Sequence, residues 1–111
     1  MGDNTDVREE ALSIYSGPRR TYEIFSIVAK EPKTMRQIMD AVPGAEDFIR
    51  SIVRSMVDDD LLYPAADEED TYELSEHGRA VKVALDELPD EEKAQAYEAA
   101  WGNPPPEGYN L

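Results

Sequence analysis

Between Pro18 and Asp59 the chain carries three apolar-periodic segments, and the breaks between them are so short that the helices they predict must pack as one unit. Pro18 suits the first turn of the first helix, which buries Ile24, Phe25, Ile27 and Val28. It ends near Lys30, because Glu31 precedes Pro32 and is pushed out of helical geometry. Thr34 and Gln37 then have capping-box spacing and start a short helix with Met35, Ile38, Met39 and Val42 inward. Pro43-Gly44 turns the chain. A longer helix follows from about Ala45 to Asp59, with Phe48, Ile49, Ile52, Val53, Met56 and Val57 predicted inside. Its other face carries Asp47, Arg50, Ser51, Arg54, Ser55 and Asp58. A helix, a short capped helix, a tight turn and a third helix with an arginine-bearing face is helix-turn-helix order.

The flanks extend this unit. Asp6 and Glu9 predict a capped helix over 6–15 with the stripe Val7, Ala11, Ile14 and Tyr15. Leu61–Pro64 and Thr71–Leu74 alternate on either side of an acidic tip, Asp67-Glu68-Glu69-Asp70, which predicts a two-stranded hairpin. Pro64 is tolerated there only on an edge or at a strand end. Ser75 caps a helix striped by Val81, Ala84, Leu85 and Leu88, and Pro89-Asp90 separates it from a last helix ending at Trp101. Gly102-Asn103 and three prolines stop that helix and leave 102–111 as an extended tail. The expected fold is therefore mainly α with a small β-hairpin. It is a winged helix-turn-helix core and following helix at 19–88, with flanking helices at 6–15 and 90–101, in a single domain over 1–111.

A chain of 111 residues can bury only a modest core, which favours oligomerisation. No apolar run approaches the roughly 20 residues of a membrane span, and no secretory leader is visible, so a soluble, cytoplasmic protein is expected. The absence of cysteine excludes disulfides, thiolate metal sites and thiol-based redox sensing. Charge is the loudest compositional signal: 25 acidic against 11 basic residues, net −14. Seven of the basic residues are arginine and four lysine, the balance of a protein adapted to molar salt, where a Debye length of about 3 Å screens self-repulsion. The charge is uneven. Between Arg19 and Arg54 seven basic residues face five acids, so this segment is net +2 while the rest is net −16.

The pattern "VRSMVDDDLLY" followed by "TYELSEHGRAV" resembles the end of a recognition helix, a wing and the next helix in winged-helix regulators. Tyr72, Leu74, Ser75, Gly78 and Arg79 match their Tyr-x-Leu-Thr/Ser-x-x-Gly-Arg segment. Over residues 20–88 the chain is similar to PadR-like regulators, and to the MarR and ArsR groups. Asp60 departs from the pattern, standing where many relatives have glycine; aspartate tolerates left-handed geometry better than most residues. With its size and composition the chain resembles PadR-like regulators of halophilic archaea. That resemblance implies transcription regulation by a DNA-binding homodimer, with a part in the response to reactive oxygen.

Arg50 and Arg54 are four apart on one helical face, suited to guanine edges or to phosphates, with Ser51 beside them. Pairing with Glu46, Asp47 or Asp58 is the plain alternative. Lys33, Thr34, Arg36 and Gln37 surround the start of the short helix and are phosphate-contact candidates, although capping alone accounts for Thr34 and Gln37. Asp47, Glu68 and Glu69 would approach double-stranded DNA only with loosely bound potassium or other cations between; otherwise the wing points away. Val7, Ala11, Tyr15, Val81, Ala84, Leu85 and Leu88 are the expected dimer interface. His77 reads as an exposed helix-start residue, and no ligand set for a metal converges with it. No cofactor is called for. Without a cysteine nucleophile or a phosphate loop, and with one isolated histidine, an enzyme is not expected. A winged-helix protein-interaction module without DNA readout is the alternative.

Overall fold

The computed structural model describes residues 4–65 and 70–111; Glu68 and Glu69, candidates for the DNA face, lie outside them. The described residues form α1 (Asn4–Ser16), α2 (Arg19–Lys30), β1 (Lys33–Thr34), α3 (Met35–Ala41), α4 (Glu46–Asp58), β2 (Leu62–Pro64), β3 (Thr71–Leu74), α5 (Glu76–Glu87) and α6 (Asp90–Trp101). The protein is thus mainly helical with a small antiparallel sheet.

The helix boundaries follow local chemistry. Thr34 Oγ1 accepts from the Gln37 amide at 3.0 Å, and the Thr34 amide donates to Gln37 Oε1 at 2.9 Å, closing the predicted capping box. Gly44, at φ 145°, makes the turn into α4. Asp60 takes the left-handed geometry its position asks for, φ 61°. Its amide reaches the Val57 carbonyl at 3.0 Å, and that of Leu61 reaches Met56 at 2.9 Å, a Schellman closure of α4 made without glycine. The expected cap at Asp6 is corrected: α1 already begins at Asn4.

The sheet contains one more strand than the sequence suggested. β3 lies between β1 and β2 and pairs antiparallel with both, Lys33 opposite Tyr72 and Leu62 opposite Leu74. Pro64 ends the edge strand β2, where its missing N–H removes no ladder bond that the sheet needs. β1 is only two residues long and carries no readable period, yet it ties the link between α2 and α3 to the hairpin.

The core runs through Tyr22, Ile24, Phe25, Ile38, Ile49, Val53, Met56, Leu62 and Val81. Phe48, predicted inside, is 50% exposed, because α4 turns a narrower arc inward (Ile49, Val53, Met56) than its apolar residues span. A second correction concerns the expected dimer interface. Ala11, Tyr15, Val81, Ala84, Leu85 and Leu88 are buried within the single chain, with Val7 partly buried beside them. α1 packs on α5, so the two stripes cover each other. A stripe records that a face is covered, and either a second copy or a neighbouring helix can do it.

The last residues do not trail away as an extended tail. Tyr109 is 7% exposed, stacked on Tyr22 and edge-on to Tyr15 and Tyr97, with the Arg19 guanidinium 4.4 Å from its ring centre. Arg19 also donates to the Tyr109 carbonyl at 2.9 Å, and Tyr15 Oη donates to Asn110 Oδ1 at 2.6 Å. Burial, reinforced by the neighbouring phenols, pushes the Tyr15 hydroxyl up to about 12. α6 buries no residue fully and is held on α1 through this aromatic cluster.

Candidate nucleic-acid interface

α3 and α4 put the predicted residues on the surface side by side. Arg36, Gln37, Asp47, Arg50, Ser51 and Arg54 are exposed, and Lys33 and Thr34 are half-buried at the start of α3. Arg36 and Arg50 line opposite sides of one groove of about 370 Å³ between α3 and the start of α4, which also takes Asp40, Glu46 and Asp70. Thr34 Oγ1 and Gln37 Oε1 are used as acceptors on each other's amides, which leaves the Thr34 hydroxyl hydrogen and the Gln37 NH₂ group to donate. Ser51 lines a different groove, facing α1.

Pairing separates the cations. Lys33 Nζ donates to Glu31 Oε2 at 3.0 Å, and Arg50 stands 3.7 Å from Glu46, too far for a hydrogen bond. Arg19 and Arg20 both hold Glu23. Outside the 19–54 segment every basic residue has a carboxylate: Arg8 with Glu92, Arg79 with Glu73, Lys82 with Asp86 and Lys93 with Asp90. Among the described residues, Lys30, Arg36 and Arg54 alone of the Lys and Arg residues have no such partner. Two of those three are on α3 and α4. Exposed pairs contribute roughly 0–1 kcal/mol, so those around the site remain exchangeable for phosphate.

His77 is not the free surface residue expected; its Nε2 lies 2.7 Å from Glu10 Oε1 and joins α5 to α1. Sequence reasoning also missed Phe48, half exposed at the start of α4. Its apolar type hid it, since only the packing decides which edge of an apolar arc stays uncovered. Among the described residues no group of three or more His, Asp or Glu side chains is placed to hold a metal ion, and no helix is long and apolar enough to cross a membrane. Comparison with protein-family models, curated proteins and solved structures gives no match.

Proposed function

We propose that this chain is a winged helix-turn-helix regulator that binds double-stranded DNA sequence-specifically, as a homodimer at high salt, and controls transcription. α2, β1, α3, α4 and the β2–β3 hairpin follow the helix, strand, helix, helix, wing order of that class, and α4 is its recognition helix. The observation that carries the reading is the pair of unpartnered, exposed arginines, Arg36 and Arg54, on adjacent helices of a chain with net charge −14. In this reading Arg54 and Arg50 address base edges, and Arg36 and Lys33 hold phosphates. A homodimer is supported by the exposed Val83 and Trp101, 56% and 52%, on α5 and α6.

The test is selection of genomic fragments at molar potassium chloride, followed by titration of variants on the selected site. Arg54→Ala costs about 1–3 kcal/mol and relaxes sequence preference, whereas Lys33→Ala weakens all sequences evenly. Unchanged binding by Arg54→Ala and Arg50→Ala would remove α4 from the interface. Phe48 favours the second reading, an interaction module in which α4 meets a protein: a half-exposed aromatic is a better anchor for a protein than for a duplex. Failure to select any fragment would bring that reading forward.

A further inference from the structure

A groove of about 380 Å³ runs between α1, the start of α2 and the second half of α4, away from the Arg36–Arg50 groove. Its chemistry is one-sided. Glu10 lines it from α1 and Asp59 from just beyond the end of α4, and no Lys, Arg or His side chain does. His77, which is not part of the lining, holds Oε1 of Glu10 at 2.7 Å. Ser13, Thr21, Ser51 and Ser55 add hydroxyls, none with a hydrogen-bond partner among the described residues. Between these polar walls lie Ile14, Ile52 and Met56.

We infer that this groove binds a linear aliphatic polyamine. Two carboxylates, one shared with His77 and neither facing a lysine or arginine of the groove, select a positively charged guest. Hydroxyl oxygens have lone pairs for ammonium N–H groups. The apolar strip requires methylenes between the charges, which a bare metal ion lacks and a polyhydroxylated sugar covers poorly. A chain of ammonium groups separated by methylenes meets all three demands together. Ser51 and Ser55 belong to α4, so occupancy acts on the helix that carries Arg50 and Arg54. That regulatory consequence rests on the DNA-binding reading; the site itself does not.

The test therefore uses the full chain without DNA. Spermidine is titrated into it in molar potassium chloride, followed by calorimetry and amide chemical shifts. Saturable one-to-one binding is expected, with shifts confined to α1, the start of α2 and the second half of α4. Asp59→Asn and the double variant Ser51→Ala/Ser55→Ala each weaken it about tenfold, the value of one charge-assisted hydrogen bond. Glu98→Gln, which removes an exposed carboxylate on α6, leaves it unchanged. Circular dichroism shows whether each variant is folded. Shifts spread over the acidic surface, equal losses in Glu98→Gln and Asp59→Asn, or no saturable binding by the folded wild type would each overturn the assignment. So would glucosamine saturating the groove where spermidine does not.

Discussion

Gly78 is where a single added carbon tests the junction between α4, the sheet and α5. It is the third residue of α5, where alanine in place of glycine ordinarily stabilises a helix by about 1 kcal/mol. Here a Cβ would stand 2.1 Å from the Leu61 carbonyl oxygen and 3.0 Å from its carbon. That oxygen cannot simply retreat, because it accepts from the Ser75 amide at 3.0 Å. Ser75 in turn caps α5 by accepting from the Gly78 amide at 2.8 Å, and its hydroxyl donates to the Asp60 carbonyl. Relief by more than 1 Å therefore moves backbone and disturbs bonds worth about 1 kcal/mol each, on top of about 1–3 kcal/mol for overpacking. Net of the helix preference, Gly78→Ala should lose on the order of 2–4 kcal/mol, or roughly 10–25 °C in Tm for a domain of this size. Urea and thermal unfolding followed by circular dichroism in molar potassium chloride measure it. Gly102→Ala serves as comparator: φ is 80° there, but nothing lies within 4 Å of the added carbon, so only the left-handed strain of about 1 kcal/mol applies. A Gly78→Ala protein as stable as the wild type, or more so, would refute the close-approach account.

Leu85→Glu should abolish cooperative folding instead of yielding folded monomers, because Leu85 is 4% exposed inside one chain; sedimentation alongside circular dichroism separates the outcomes. Alkali should weaken the aromatic cluster. The Tyr15 hydroxyl is raised from 10.0 to about 12, so its contribution is complete below pH 10 and is lost as pH rises through 12, roughly 2–3 kcal/mol in all. Burial raises Tyr109 in the same direction. Unfolding free energies at pH 9.5 and 12 test this, and an unchanged stability would contradict it.

The parts of the fold legible in the sequence are those set by local chemistry. Thr34 with Gln37, Ser75 before Gly78 and Gly102 each mark a helix end through a specific unsatisfied backbone group, Pro89 does so through its fixed φ, and the helices start and stop there. What needed three dimensions was partnership. The stripes of α1 and α5 read equally well as facing a second copy, and the spacing of Val81, Ala84 and Leu85 contains nothing that distinguishes the two. β1 escaped because two residues cannot display a period. Tyr109 escaped because it follows a glycine- and proline-rich stretch, where no periodicity announces burial. The candidate site was legible as residue types on faces: Arg36, Arg50 and Arg54 are exposed on α3 and α4. Which of them is free was not, since that depends on distances to carboxylates that composition places everywhere.

Order along a helix biases those distances without fixing them: Lys82 has Asp86 four residues behind it and still pairs at 2.6 Å. On a helix an acid four residues ahead of a base pairs better than one four residues behind, as side chains and dipole then reinforce each other. Arg50 has Glu46 ahead of it and is drawn to 3.7 Å. Arg54 has Asp58 four residues behind it and Arg36 has Asp40, the poorer order, and among the described residues neither pairs. Arg54 is therefore the stronger candidate for base contact, and Glu46 acts as a restraint on Arg50. Glu46→Gln should free Arg50 and tighten binding to the selected DNA site several-fold. Asp58→Asn removes the same charge from the same helix without releasing an arginine, so it reports the bare electrostatic gain and should give the smaller effect. Both titrations are made at one potassium chloride concentration, because screening sets the size of each. Equal gains from the two variants would show that Arg50 was never held, and that charge alone governs the approach of α4 to the duplex.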